Sequence, residues 1–433
     1  MIQIEPLKQL LRALIILFIC ALINTSCTDH EGPQTPDAGS YPADVVNSWL
    51  TMQLKLSQAM PGPPPIAARR FAYAGIALYE SIVPGLVGYQ SIAPQLNGLP
   101  ALPKISTGMS YYWPASANAA LAEMNRSLFP AITAARKASV DSLEAANWAL
   151  YLPKSSAAEL ERSAAFGKEI AASILAWAKT DGYDNTTPYQ LVPGAEHWVP
   201  TPPAFAAAIL SNWGANRLIV SNSDANAPQG APMAYSEDPA SPYFAQAKEV
   251  YDISQSLTGE QKIIATFWPD NSWHNVLSQI LAIEKPKLDV AAVAFTQLGI
   301  AMSDASVSLL KEKYFYNTVR PVTYIRSVMN KPAWNTLIPT PPHPEYPSGH
   351  AVISSAAAQT LTRLFGENYH YTDTPYNLVG FSPRSFNSFN EAAAEAAISR
   401  VYAGIHYRKT CEVSLIHGKI IADNIAQKLK FKP

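Results

Sequence analysis

The sequence predicts an all-α protein, a helical bundle with long proline-rich loops. Apolar residues recur at helical spacing through most of the chain, whereas no stretch alternates between apolar and polar residues at the period of a half-buried strand. The 36 prolines outnumber the 20 glycines, which favours helices joined by stiff loops over a sheet protein with glycine turns.

Length and charge further narrow the size of the domains and the kind of binding partner. The 433 residues are 48% hydrophobic, enough for one large or two moderate domains with a sizeable core. The formal net charge is −1, and no basic cluster is present. This balance argues against nucleic acid as the main partner.

The N-terminus carries the pattern of an export signal. Lys8 and Arg12 precede an apolar run over residues 13–23, which is too short to span a bilayer. The run leads to Cys27, as in the bacterial lipoprotein signals that this segment resembles, although Asn24 stands where leucine is usual.

The resemblance implies a lipoprotein-type signal peptide over residues 1–27, with Cys27 lipidated as the first mature residue, followed by a polar tether over 28–40. We expect the mature protein to be exported and lipid-anchored to the membrane of the bacterial cell envelope, facing the periplasm or the cell surface. An ordinary signal peptide cleaved near Ser26 is the alternative.

Beyond the tether, the chain divides by composition. Residues 41–185 form an N-terminal helical half, 186–242 a proline-rich connector, and 243–433 a second, catalytic helical half. Long loops in compact domains are usually functional or cover another surface. The helices predicted in the first half are 43–60, one beginning near Ile66, 115–152 with a break at Pro130, and 156–180.

Three segments of the second half contain the candidate catalytic and anion-binding residues. Lys313 and Arg320 are seven residues apart, two turns of a predicted helix that Pro321 ends, so their cations can meet on one anion. The segment Pro347-Ser348-Gly349-His350 follows a proline-dense run and precedes a helix that begins near Ala351. A helix N-terminus there would add free N–H groups to a hydroxyl and an imidazole.

The third segment combines a helix with a turn. An alanine-rich helix from about Asn390 to Tyr402 contains Arg400. Gly404 then turns the chain, so that His406 need not follow the helix.

The three segments resemble the motifs of the type 2 phosphatidic acid phosphatase superfamily. In chain order they read Lys-x6-Arg-Pro, Pro-Ser-Gly-His and Ser-Arg-x5-His. That superfamily includes bacterial acid phosphatases and the vanadium-dependent haloperoxidases. The resemblance implies that phosphate or vanadate is bound by Lys313, Arg320, Ser348, Gly349 and Arg400. It also implies that His406 bonds to the metal in peroxidases and attacks phosphorus in phosphatases, with His350 as the acid–base partner.

The length and the context Pro-Pro-His-Pro-Glu-Tyr-Pro-Ser-Gly-His are most similar to vanadium haloperoxidases. The similarity implies a vanadate cofactor, with hydrogen peroxide, a halide and a small organic acceptor as partners, and Lys313 polarising the peroxide. Two alternatives stay open: an acid phosphatase, which needs no cofactor and takes phosphate esters, and a non-catalytic oxyanion-binding lipoprotein.

The chain also departs from the family pattern. Thr410 stands where an acidic residue usually follows the last histidine, and Glu412 is the candidate to orient His406 instead. Leu310 replaces a tryptophan common in the halide pocket. His343 occupies a position where chloride-oxidising relatives tend to carry phenylalanine and bromide-oxidising ones histidine.

Together, Leu310 and His343 define a candidate halide pocket and predict activity with iodide and bromide but not chloride. A histidine there is polar and can be charged, which would change the field at the peroxide. The alternative role for His343 is an ordinary hydrogen bond within a proline-rich loop.

Overall fold

The computed structural model describes residues 36–269, 273–374 and 381–433. The expected signal peptide over 1–27, the lipidation site Cys27 and residues 28–35 of the tether lie outside the described residues.

The described helices are α1 (Asp44–Ala59), α2 (Pro64–Ile82), α3 (Trp113–Leu128), α4 (Ala134–Tyr151), α5 (Ala157–Ala178), α6 (Pro242–Gln255), α7 (Gly259–Phe267), α8 (Trp273–Glu284), α9 (Leu288–Tyr316), α10 (Pro321–Ser327), α11 (Gly349–Phe365), α12 (Phe389–Tyr402) and α13 (Arg408–Lys428). All belong to one compact unit of residues 36–105 and 111–433. The all-α prediction is confirmed.

Two short strands, β1 (Tyr371–Asp373) and β2 (Arg384–Phe386), pair antiparallel. Neither strand was predicted, because three residues are too few to show the alternation of a strand in the sequence. Thr372 lies opposite Ser385 in this register.

Local capping chemistry explains where several helices start. The Ser156 hydroxyl accepts a hydrogen bond from the N–H of Glu159 at the start of α5. Thr258 and Gln261 form a reciprocal capping box at α7. Helix α2 begins with Pro64, whose fixed φ suits the first helical turn.

The long helix α9 passes through the centre of the unit and packs closely on α2. A Cβ atom added to Gly299 would lie 2.8 Å from the Ala72 Cα, and one added to Gly75 would lie 2.9 Å from the Thr296 Cα. Glycine is therefore needed at both crossings. By length and composition α9 could cross a membrane, but 83% of its apolar window is buried inside the structure.

The connector is held on α9 by a buried carboxylate. Asp304 accepts hydrogen bonds from the N–H groups of Ile219 (2.7 Å) and Val220 (3.0 Å) and from the Ser223 hydroxyl (2.7 Å). Burial raises the pKa of Asp304 to about 7, although these hydrogen bonds act in the opposite direction. This part of the connector thus lies on the central helix, as a long loop in a compact domain is expected to do.

Helices α11 and α13 approach each other almost backbone to backbone. A Cβ atom on Gly418 of α13 would lie 2.0 Å from the carbonyl oxygen of Val352 in α11. This contact fixes the N-terminus of α11, which contains Gly349, relative to the segment before α13, which contains His406.

Candidate active site

A cavity of about 460 Å³ lies where these segments meet. Six of the residues singled out from the sequence line it: Leu310, Lys313, His343, Gly349, His350 and His406. Arg320 joins the group through contacts with His343 and His406. The predicted convergence of the three motif segments is therefore seen in the structure.

Lys313 and Arg320 reach the cavity by a different route from the one predicted. Helix α9 ends at Tyr316, because Asn317 adopts the left-handed conformation (φ 49°, ψ 44°) that asparagine tolerates. Arg320 is the N-cap residue of α10, and Pro321 is its first residue. The prediction of one continuous helix ended by Pro321 is wrong, since proline favours the first turn of a helix and here begins one.

The Lys313 ammonium is fully buried. Nζ donates to the carbonyl oxygens of Pro344 (2.8 Å) and Glu345 (2.9 Å), so one of its three hydrogens remains for a bound anion. Burial and the nearby Arg320 charge lower the pKa of Lys313 well below its ordinary value, against the opposing effect of Glu345.

The Arg320 guanidinium joins the proline-rich loop to the last motif. Nε donates to the His343 carbonyl oxygen (2.9 Å), Nη1 to the Ile405 carbonyl oxygen (2.9 Å), and Nη2 to the His343 Nδ1 (3.0 Å). Nη1 also lies 3.1 Å from the His406 Nε2. Burial lowers the pKa of Arg320 to about 10, so the group stays cationic at neutral pH.

These contacts define the tautomer of His406. Arginine can only donate, so His406 Nε2 is an acceptor, and Nδ1 carries the proton that it donates to Glu345 Oε1 at 2.8 Å. Burial and the Arg320 charge lower the pKa of His406 well below its ordinary value. The lone pair available for a bond to vanadium or phosphorus is therefore on Nε2.

Glu345 is the functional residue that the sequence analysis missed. Besides His406 Nδ1, its carboxylate accepts the Tyr407 N–H (3.2 Å) and the Thr410 hydroxyl (3.0 Å). Glu412, the candidate for orienting His406, is 57% exposed and lies 3.9 Å from Lys409 instead.

Thr410 thus donates a hydrogen bond to Glu345, an acidic partner of His406 that comes from another segment of the chain. Glu345 lies five residues before His350, and only the fold brings its carboxylate to His406. The one signal in the sequence was a lone carboxylate inside a proline-rich motif. Burial raises the pKa of Glu345 to about 7, while Arg320 and Lys313 oppose that rise.

Ser348 and Gly349 present unfilled donors at the start of α11. The Ser348 N–H donates to the Ser414 hydroxyl at 2.9 Å. Its own hydroxyl is buried and has no hydrogen-bond partner among the residues that the structure describes. The Cys411 thiol lies beside it and interacts with the Ser348 side chain, which opposes the rise that burial causes in the pKa of Cys411, but a thiol is only a weak hydrogen-bonding group. Gly349 is the first residue of α11, so its N–H is free of intrahelical bonds.

His350 and Arg400 are the remaining two residues of the predicted oxyanion site. Burial and the Arg400 charge lower the pKa of His350 to about 3, although a hydrogen bond to the Pro269 carbonyl acts in the opposite direction. His350 is therefore neutral at pH 7. Arg400 is 1% exposed and donates from Nε to the Ser399 hydroxyl (2.9 Å) and from Nη2 to the Ala265 carbonyl (3.3 Å).

The two candidate halide-pocket residues also lie at the cavity. Leu310 is buried in its wall. His343 accepts from Arg320 through Nδ1, and its pKa is held well below the ordinary value by burial and by Lys313 and Arg320. His343 thus accepts a hydrogen bond from Arg320 and also lines the cavity, while its role toward a halide stays a prediction. It is neutral rather than charged.

The residues present fit an oxyanion. Lys313, Arg320 and Arg400 are buried basic side chains, and Glu345 is the acidic side chain that faces Lys313 and Arg320. One carboxylate cannot balance both Lys313 and Arg320 when both are charged, and buried charge without a counter-charge is strongly unfavourable, so a tetrahedral anion would stabilise this pair. The unpartnered Ser348 hydroxyl needs an acceptor, which the oxygen atoms of vanadate or phosphate provide.

Comparison with known proteins agrees with this geometry. Residues 293–432 match the family model described as the VCPO second helical-bundle domain. The vanadium chloroperoxidase of Curvularia inaequalis is 25% identical over 199 residues, which cover 32% of this chain and 33% of that protein. The alignment thus spans about a third of the length of that curated relative.

Solved structures extend the similarity to almost the whole chain. The crystal structure of a bacterial vanadium-dependent iodoperoxidase superposes with a TM-score of 0.83 at 31% identity, covering 90% of this chain and 98% of that one. An apo-type bacterial vanadium-dependent chloroperoxidase superposes with a TM-score of 0.68 at 16% identity, covering 86% and 97%, which shows a shared fold. On its sequence, its fold and the residues around its cavity, this chain belongs to the vanadium-dependent haloperoxidase family.

Proposed function

We propose that this protein uses vanadate to oxidise iodide with hydrogen peroxide: I⁻ + H2O2 + H⁺ gives HOI + H2O. Iodide loses two electrons and the peroxide O–O bond is reduced. The observation that carries the proposal is the Glu345–His406 hydrogen bond, which places the His406 Nε2 lone pair at a buried cationic cage.

The roles of the chain's residues follow from their contacts. His406 Nε2 would bind the vanadium, and the oxygens would be held by Lys313, Arg320, Ser348, Gly349 and Arg400. Bound vanadate would supply a Lewis-acidic centre that activates peroxide for two-electron transfer. With that ligand bound, His406 would no longer contact Arg320 Nη1, and Nη1 could donate to one of the oxygens instead.

Proton movement is assigned to His350. Its ring is neutral at pH 7 and one nitrogen donates to the Pro269 carbonyl, so the other can accept a proton from incoming hydrogen peroxide. Lys313 keeps one N–H beyond its two carbonyl contacts. That N–H polarises the peroxide oxygen that the halide attacks.

The choice of iodide rests on the cavity wall. Chloride is the hardest of the three common halides to oxidise, and Leu310 provides no aromatic wall at the presumed halide pocket. His343 is neutral, so it adds no positive charge to strengthen the oxidant. The superposed iodoperoxidase supports the same halide, and we expect bromide to be a slower second substrate.

A side-by-side assay tests the proposal against the phosphatase alternative. Purified apoprotein is given vanadate, peroxide and one halide at a time, and in parallel receives phosphate monoesters without vanadate. We expect vanadate-dependent oxidation of iodide, slower oxidation of bromide, little with chloride, and little ester hydrolysis. Efficient chloride oxidation would refute the halide assignment. Efficient ester hydrolysis without halide oxidation would refute the proposed reaction.

We also propose that the protein is anchored outside the cytoplasm through lipid on Cys27. The apolar run that ends at this cysteine supports the proposal. Mass spectrometry of the mature N-terminus is expected to find a lipidated Cys27. An unmodified N-terminus at another residue would reject it.

A further inference from the structure

The cavity is larger and more apolar than hydrogen peroxide and a halide ion require. Its volume is about 460 Å³, within the range of sites for small organic ligands. Hydrogen peroxide is small and strongly hydrated, and one halide ion would occupy only a small part of a cavity of about 460 Å³. The apolar part of the wall is thus left without a use in halide oxidation alone.

Aromatic and aliphatic side chains from several helices form this apolar wall. The rings of Trp268 and Trp273 stack with centroids 6.0 Å apart and planes 27° apart. Phe71 and His274 stack more closely, with centroids 3.8 Å apart and planes 16° apart. The aliphatic lining residues include Leu54, Met302, Leu309, Leu310, Ile353 and Ile405.

The polar groups on the same wall select the chemical class of a ligand. Among the described residues that line the cavity there is no carboxylate, and Arg320, which contacts His343 and His406 of the lining, stays cationic, so an organic cation is disfavoured. The Ser57 hydroxyl is buried there without a hydrogen-bond partner among the described residues. It can pair with one hydroxyl on an otherwise apolar ligand.

We propose that the apolar wall, defined by Leu54, Ser57, Phe71, Trp268, Trp273 and Ile353, binds a phenolic organic acceptor of one or two rings beside the oxyanion cage. The inference rests on the proposed function, because hypoiodous acid must be formed in the same cavity. The bound ring then reacts before the oxidant escapes: ArH + HOI gives ArI + H2O. A carbon–iodine bond forms, the I–O bond breaks, and the ring proton leaves with the hydroxide as water.

This arrangement predicts that the protein controls which ring position is iodinated, whereas free hypoiodous acid in solution exerts no such control. A ring held against the wall presents one edge to the cage, so the isomer ratio of the product reflects binding geometry. With an acceptor that only meets the oxidant in solution, the ratio would equal that of the free reagent.

The test uses the full mature chain loaded with vanadate, with 1-naphthol as the probe. Calorimetric titration without peroxide is expected to show saturable binding of one 1-naphthol with a Kd below about 1 mM. With iodide and peroxide, the ratio of 2-iodo to 4-iodo product is expected to differ from that given by hypoiodous acid alone.

Ser57→Phe fills the wall, and Ala59→Phe is the matched control. Both residues are in α1, but Ala59 is exposed and lies outside the cavity lining. We expect Ser57→Phe to raise the Kd for 1-naphthol at least about tenfold and to move the isomer ratio toward that of the free reagent. Ala59→Phe should change neither.

Iodide oxidation without any organic acceptor, followed as triiodide, reports on the proposed function separately. Wild-type protein that forms triiodide but shows no 1-naphthol binding and the free-reagent isomer ratio would overturn this inference alone. Binding of 1-naphthol that Ser57→Phe leaves unchanged would overturn the assigned wall. Binding that Ser57→Phe weakens, in a protein that forms no triiodide, would uphold the ligand site and overturn the proposed function.

Discussion

Replacing Ser348 with alanine should separate stability from function. In the free protein the Ser348 hydroxyl is buried without a hydrogen-bond partner among the described residues, a state that costs about 1–3 kcal/mol relative to a satisfied group. Ser348→Ala removes that penalty and only one oxygen atom of packing. The free energy of unfolding without vanadate should therefore stay the same or rise by about 1 kcal/mol.

The same substitution should weaken vanadate binding. A hydrogen bond from the hydroxyl to a charged oxygen contributes about 1.5–3 kcal/mol, which corresponds to about a 10- to 150-fold higher Kd for vanadate. Urea denaturation of the vanadate-free protein and calorimetric titration with vanadate measure the two effects independently.

Ser306→Ala is the matched control. Ser306 is equally buried, but its hydroxyl already donates to the Met302 carbonyl at 2.7 Å. This variant should lose up to about 1 kcal/mol of stability and keep its vanadate affinity. If Ser348→Ala were the less stable of the two and bound vanadate as tightly as wild type, the assignment of the hydroxyl to the anion would be refuted.

Three further changes test other parts of the account. Glu345→Gln removes the charge that orients His406 and should lower the rate of iodide oxidation about 10- to 100-fold. The far-ultraviolet circular dichroism spectrum should not change. Full activity would show that the carboxylate is dispensable. Gly418→Ala places a Cβ atom 2.0 Å from the Val352 carbonyl oxygen. Urea denaturation should therefore show a free energy of unfolding that is lower by about 1–3 kcal/mol or more. An unchanged stability would contradict the close packing of α11 on α13. Burial lowers the pKa of His274 to about 3, so its contribution to stability is complete above the unfolded value of about 6.5 and is lost as the pH falls toward 3. His274→Phe should therefore lose about 2 kcal/mol less than wild type between pH 7 and pH 5, and equal losses in urea titrations at the two pH values would reject a buried neutral ring.

The sequence predicted the fold class and most of the cage because both depend on local patterns. Helical periodicity located α1 and α5 to within two residues of their observed ends. The positive φ of 80° at Gly404 bears out the predicted turn between α12 and His406.

What the sequence analysis missed depends on contacts that only the fold creates. The spacing of Lys313 and Arg320 suits one helix as well as two, and the left-handed conformation of Asn317 decides between them. Glu345 is 61 residues from His406 along the chain. No spacing rule connects such a pair, whereas Glu412 lies only two residues from Thr410 in the sequence.

The central claim is that His406 holds a vanadate that oxidises iodide, and one measurement on His406→Ala tests it most directly. Wild type and variant are incubated with vanadate and desalted, then assayed for bound vanadium by elemental analysis and for triiodide formation with peroxide. The account predicts about one vanadium per wild-type chain with matching activity, and loss of both in His406→Ala, because no neighbouring side chain can replace a direct bond to the metal. A variant that kept its vanadium and its rate of iodide oxidation would contradict it.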